Sequence, residues 1–327
     1  MTNLVAAGES FALIALETRS AVDLPVTELV PGLWASSTSI IGLDHFWKQT
    51  LGTSKIENFR ACTLSLLVKD RVADPSIEQE LRDRVWRFYA GMLLAARFGV
   101  EQDPFLISGD CKADGLATRW VGTLAAAPHA AADRWQRLTT DDVRRGAKIG
   151  RELQKFPWRS AYRLNRVLTL FLQARTLLDW MERIHQYTRC LDGLTIPPGG
   201  GAGKKFADRM MLIAGPAHRD MFEEIYAIRG AIEHLRENDY TEPFDRARRI
   251  ELMKKAGIVE HVARSALVRI LETELLWEHF KTKESLLAFW ELPLSDRETL
   301  WGETVDPMDG IKGFDETQYS DAELGKR

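Results

Sequence analysis

At 327 residues the chain is long enough for two domains and a well-buried core, and with 45% apolar and 28% charged residues it has the make-up of an ordinary globular protein. A net charge of −3 gives the chain as a whole no polyanion-binding character, and Cys62, Cys111 and Cys190, odd in number and widely spaced, support neither a disulfide scaffold nor a paired-cysteine metal site. The opening MTNLVAAGESFALIALETR has no basic lead, and no apolar stretch approaches the roughly 20 residues that span a bilayer, so a cytoplasmic protein with no membrane contact is expected.

Taken in order, FALIALET (11–18), ACTLSLLV (61–68), PFLISG (104–109) and LATRWVGTL (116–124) are short β-branched or aromatic runs bounded by charged or turn residues, and they read as strands. IEQELRDRVWRFYAGMLLAARF (77–98) lies between the second and third, with the charged start and apolar end of a helix that becomes buried. Strands and helices do not alternate regularly and no glycine-rich turn follows a strand, so a dinucleotide or P-loop site is not expected. Trp34, Trp47, Trp86, Trp120 and Trp135 can stack bases or fill a small mixed core. AAAPHAAAD (125–133) reads as a connection, a helix follows over 139–154 with Thr140 or Asp141 as N-cap, and Phe156-Pro157-Trp158 breaks the chain. Residues 1–157 are therefore expected to form an α+β domain.

Beyond that break the pattern is helical. Val167, Phe171, Ala174, Leu178, Met181 and Ile184 or His185 recur at three- and four-residue steps and predict one long helix, which must stop before TIPPGGGAG (195–203). Further helices are expected over 204–214, 217–237 and 245–280, their short connections implying antiparallel neighbours in a bundle spanning 158–302. Residues 303–327, acidic with scattered glycines, read as a mobile tail or as a strap ordered by docking. The expected fold class is mainly α with an α+β N-terminal part.

The stretch richest in chemistry is IYAIRGAIEHLREN (225–238). Met221, Ile225, Ile228, Ile232 and Leu235 form one core stripe, Arg229 borders it, and His234 falls roughly 140° beyond Arg229 on an ideal helix. Those two side chains meet at one substrate only through a distorted helix end or through the same helix of a second subunit. Phe222, Tyr226 and Glu233 lie beside the stripe and predict an aromatic and ionic surface through which the chain forms a homodimer. The run from Arg144 to Arg189 holds eleven basic residues and three acids, either a polyanion-facing strip or solvated helix faces with long stems over apolar surface.

An arginine, a few residues and a histidine late in a helix of an all-helical domain resembles the motif of the HEPN superfamily, in its Apea-like branch. RIHQYTRCLDGL (183–194), the Gly/Pro linker, KKFADRMMLI (204–213), IYAIRGAIEHL (225–235), ARSALVRIL (263–271) and the closing Phe289-Trp290 follow that family's order, over roughly residues 160 to 290. The resemblance implies a HEPN-like antiparallel bundle and a metal-independent endoribonuclease leaving a cyclic phosphate end, of a kind often found in toxin or anti-phage roles. Other members of the family are inactive adaptors. Gly230 departs from the polar residue usual after the arginine in nuclease members, and Leu235 from the glycine common after the histidine.

The residue types suit the chemistry. Histidine exchanges a proton near neutral pH, so His234 can take the ribose 2′-hydroxyl proton or protonate the leaving oxygen. Arg229, a permanently charged planar fork, suits the crowded phosphate. Glu233, Tyr226 and Asn238 are supporting candidates, and Arg163, Arg166, Arg183, His185 and Arg189 are candidate RNA contacts. In the plainer reading Arg229 pairs with Glu233 at i, i+4, His234 caps its helix and His185 is a boundary histidine. Glu182 and His185 make half of a carboxylate-bridged metal motif with no second copy, so neither metal nor cofactor is expected. The partners expected are RNA, a second copy of the chain, or a protein held by the N-terminal domain or the acidic tail; in the competing class the bundle is a non-catalytic interaction module.

Overall fold

The computed structural model describes residues 4–18, 22–37, 40–71, 75–113, 115–125, 137–157, 160–234 and 245–320. Trp135, Leu235 and Asn238 lie outside them, as does all but the first residue of AAAPHAAAD. The protein is mainly helical, with a six-stranded antiparallel sheet in its N-terminal part, and it divides into two compact units: Met1–His129 with Gln136–Lys155, and Ala130–Trp135 with Phe156–Arg327.

In the first unit, β1 (Ser10–Leu16), β2 (Thr27–Val30), β3 (Leu33–Ser36), β4 (Leu64–Asp70), β5 (Phe105–Lys112) and β6 (Gly115–Thr123) stand in the order β2-β3-β4-β1-β5-β6. SFALIAL is buried along its whole length because it is central, with Leu13 opposite Leu67 of β4 and Ile107 of β5. One face carries Phe11, Leu13, Ala15, Leu67, Phe105 and Ile107 beneath Phe59 of α1 (His45–Ala61). Helix α2 (Pro75–Ala95) lies along β1, β4 and β5 and packs tightly on α3 (Thr140–Lys155). Three glycines set that approach: a Cβ at Gly91 would stand 2.5 Å from Gly150 N, and one at Gly146 or Gly150 2.7 Å from the Cα of Met92 or Phe88. The four expected strands and both helices are present, shifted by a few residues. The β2–β3 hairpin and α1 were not expected. The hairpin turns on Pro31-Gly32, with Gly32 at φ +80°, a turn legible in the sequence. Helix α1 buries little beyond Phe59 and is interrupted at Gly52 (φ +77°), so it offers almost no periodicity.

The second unit is helical: α4 (Tyr162–Ala174), α5 (Trp180–Thr195), α6 (Ala202–Ala214), α7 (Arg219–Glu233), α8 (Arg246–Glu272), α9 (Glu274–Phe280), α10 (Lys283–Glu291) and α11 (Leu294–Trp301). Helix α5 packs against α4, α7 and α8, and α6 against α7. The single long helix expected from Val167 is two. Asp179 caps α5 by accepting from Glu182 N at 2.9 Å, and the buried Arg183 donates Nε–H to Leu177 O at 2.6 Å, stabilising the connection. The helix expected over 245–280 likewise breaks, at the extended Thr273. Residues 303–320 are a docked strap and not a mobile tail: Gly310 lies against the backbone of Gly257 and Ile258 in α8, and the buried Tyr319 packs with Ile250, Met253 and Phe314.

Candidate functional site

Helix α7 brings Arg229 and Glu233 to one face, four residues apart, and α5 lays His185 and Asp192 alongside. Glu233 Oε2 is shared: Arg229 Nη2 reaches it at 3.1 Å and His185 Nε2 at 3.2 Å. A carboxylate only accepts, so His185 carries its hydrogen on Nε2. Its Nδ1 is buried, 3.7 Å from Glu182 Oε2 and without a hydrogen bond. The Arg229 guanidinium also approaches Asp192 Oδ2 at 3.8 Å and lies over the Tyr226 ring, 5.1 Å from its centre. Tyr226 in turn rests on Phe206 of α6.

Electrostatics follow from this packing. Burial pushes Asp192 above the usual carboxylate range; Arg229, Arg163 and Arg189 draw it down and the Glu233 charge adds to the rise. Its Oδ1 is buried without a partner. Burial also acts to raise Glu233, but the His185 hydrogen bond and the charges of Arg229, His185 and Arg189 outweigh it, and its carboxyl is held below the usual range. The Tyr226 hydroxyl is pushed up, first by burial and then by the Asp192 and Glu233 charges.

The expected site residues divide accordingly. Arg229, Glu233, Tyr226 and His185 are brought together. His234 is not: it is exposed at the C-cap of α7, where its backbone N–H returns to Gly230 O and Ile232 O, and its side chain meets no group of the cluster. Asn238 lies outside the described residues. Arg163 is half-buried, donating to Gly193 O at 3.4 Å, Arg189 reaches Gln186 at 3.4 Å, and Arg166 is exposed. Arg183, expected to contact RNA, is only 4% exposed, and besides the Leu177 carbonyl its guanidinium covers the Trp180 ring at 5.3 Å. It holds the α4–α5 connection and does not face solvent. Arg175 is equally buried and pairs with Glu260, so the basic run from Arg144 to Arg189 is not one solvent-facing strip. Phe222, expected on a wet dimer face, is fully buried against Phe206. Asp192 is the residue that sequence reasoning missed; the available signal was a carboxylate on the apolar side of an amphipathic helix, between Leu191 and Leu194.

Among the described residues no group of three or more His, Cys, Asp or Glu side chains is placed to hold a metal ion, and no helix is long and apolar enough to cross a membrane. No family model, curated protein or solved structure matches the chain.

Proposed function

We propose that the helical unit adopts a HEPN-like bundle and acts on RNA as a metal-independent endoribonuclease. In this reading the ribose 2′-oxygen attacks the adjacent phosphorus, a P–O2′ bond forms as the P–O5′ bond breaks, and the products are a cyclic phosphate and a 5′-hydroxyl. Arg229 stabilises the phosphate charge and His234 carries the proton, taking it from the 2′-hydroxyl or giving it to the leaving oxygen. Glu233, shared with His185, holds the arginine in place, and Tyr226 lies beneath it. The observation that supports this most is that Glu233 carboxylate: it fixes Arg229 at the surface of α7, with one edge toward Asp192 and the exposed His234 a turn further on. Arg229 and His234 diverge by roughly 140° on an ideal helix and His234 stands at the non-helical C-cap of α7, so a composite site forms through that helix end or through a second copy; in this reading the active form is a homodimer.

A second reading has its own support. Arg229 and His185 are already tied to one another through Glu233, and Gly230 offers no polar side chain beside them. Such an arrangement serves a non-catalytic interaction module equally well.

The test is incubation of the purified chain with mixed single-stranded and transfer RNA, with and without EDTA, alongside Arg229→Ala, His234→Ala and His185→Ala. Cleavage that survives EDTA and is lost in Arg229→Ala and His234→Ala supports the nuclease. Full cleavage by His234→Ala with loss in His185→Ala moves the proton to His185. No cleavage by the wild type selects the interaction module.

A further inference from the structure

The helical unit carries a second concentration of positive charge, made by residues other than those that surround Glu233. Arg209 of α6 and Arg297 of α11 both lie on the indole of Trp290 in α10, their Cζ atoms 4.9 and 5.6 Å from the ring centre. The fold fixes this indole, whose Nε1–H donates to Leu194 O at 3.0 Å at the end of α5. Arg209 Nη1 closes the same helix end by donating to the carbonyls of Thr195 and Ile196. That uses one corner of its fork and leaves Nε and Nη2 without a partner among the described residues.

Among the described residues no carboxylate balances either guanidinium. Asp208, next to Arg209 in the chain, is taken by Arg219 at 2.8 Å. Asp296 accepts from Ser295, and Glu298 makes no ion pair with Arg297. The Arg297 side chain donates no hydrogen bond among the described residues, and its Nε is buried without a partner. Burial depresses the Arg209 pKa, and the Arg297 charge depresses it further. Arg175 meets Glu260 and Arg229 meets Glu233, and Arg183 and Arg269 cap carbonyls as Arg209 does, but Arg297 has neither kind of partner among the described residues. Two like charges on one ring, with donors to spare and no counter-charge, are the arrangement that a multiply charged oxyanion completes.

We propose that Arg209 and Arg297, steadied by Trp290, form a binding site for a dianionic phosphate group. A phosphate monoester brings close to two negative charges and several acceptor oxygens to the two forks, where a lone carboxylate brings one charge. The indole's contacts with the guanidiniums leave it 6% exposed, so it presents no apolar platform for a peptide. The phosphate can arrive as inorganic phosphate or on a nucleotide. This site stands whether or not Arg229 and His234 cleave RNA.

Isothermal titration of the full chain at low ionic strength tests it, with inorganic phosphate, adenosine 5′-monophosphate and adenosine as probes. The wild type is expected to bind at least one of the two phosphates and not adenosine; equal affinity for both phosphates identifies the bare anion as the ligand, and binding of the monophosphate alone identifies a nucleotide. Arg297→Gln, which removes no hydrogen bond that the fold uses, should weaken binding by about tenfold or more, and Arg297→Lys, which keeps charge and stem but not the fork, should fall between. Lys312→Ala, which removes an exposed cation of the strap, should leave the affinity unchanged. Absence of binding by the wild type, undiminished binding by both Arg297 variants, or loss of binding in Lys312→Ala alone would overturn the proposal, and none of these results bears on RNA cleavage at Arg229.

Discussion

His185 Nε2 lies 3.2 Å from Glu233 Oε2, a contact between α5 and α7 that joins residues 48 positions apart in the chain. Because the same oxygen receives Arg229, the three side chains act as one unit, and removing Glu233 leaves two cationic or polar groups facing each other.

That coupling is measurable. Glu233 is 39% exposed on its side chain, so solvent screens the pair, and a double-mutant cycle between His185→Ala and Glu233→Gln should return a coupling of only about 0.5 to 1 kcal/mol. The Glu233 carboxyl is held below its ordinary range, so its contribution is present above the unfolded pKa and is lost as pH falls through the folded one. Urea unfolding of Glu233→Gln and wild type at neutral pH and in the acid range should show the difference between them shrinking on acidification.

Asp192 should behave in the opposite sense. Its carboxyl is raised by burial, so the folded chain binds a proton that the unfolded chain releases, and stability falls as pH rises from the ordinary carboxylate range through the raised value. Asp192→Asn should flatten this part of the stability-against-pH curve. An unchanged slope in the variant would mean that Arg229, Arg163 and Arg189 fully offset the burial.

At the α2–α3 crossing, Gly146→Ala and Gly150→Ala each drive a Cβ into the backbone of the opposite helix and should cost about 1 to 3 kcal/mol, read as a fall in the melting temperature of the N-terminal unit. Gly230→Ala is the contrasting case. A Cβ there meets nothing within 4 Å, and the position lies inside α7, so the substitution should stabilise by up to about 1 kcal/mol through helix propensity. A loss of stability at Gly230 would reveal a contact made only in a larger assembly.

The docked strap gives a fourth expectation. Tyr319→Ala removes a buried ring stacked on Phe314 and set against Ile250 and Met253, and it should destabilise the helical unit by about 2 to 4 kcal/mol by chemical denaturation. A change below about 0.5 kcal/mol would show that the strap contributes nothing to the unit's stability.

What could be read in advance follows the range of the interactions concerned. The core strands and the amphipathic helices were legible because burial imposes a period on them, and the Arg229–Glu233 pair because one helical turn separates its members. The break before α5 was overlooked although Asp179 and Glu182 signal it locally, because the apolar spacing from Val167 to Ile184 runs straight through the gap. Phe222 was assigned to the wrong side of α7 because a helical wheel assumes one buried stripe, whereas α5 and α6 cover this helix from two directions. The tie of His185 to Glu233 and the burial of Asp192 are contacts between helices, and no local pattern encodes them.

The central position of β1 governs the order in which this chain can fold as it is made. Ser10–Leu16 leaves the ribosome before both of its neighbours, residues 64–70 and 105–112, and the helix pair along the sheet is complete only at Lys155. Most of the sheet's pairings are therefore long-range and wait on loop closure, which makes the N-terminal unit slow to form relative to the helical one. During synthesis an almost wholly apolar strand stays uncovered until Lys155 has been made, so β1 is the segment that a nascent-chain chaperone would have to shield.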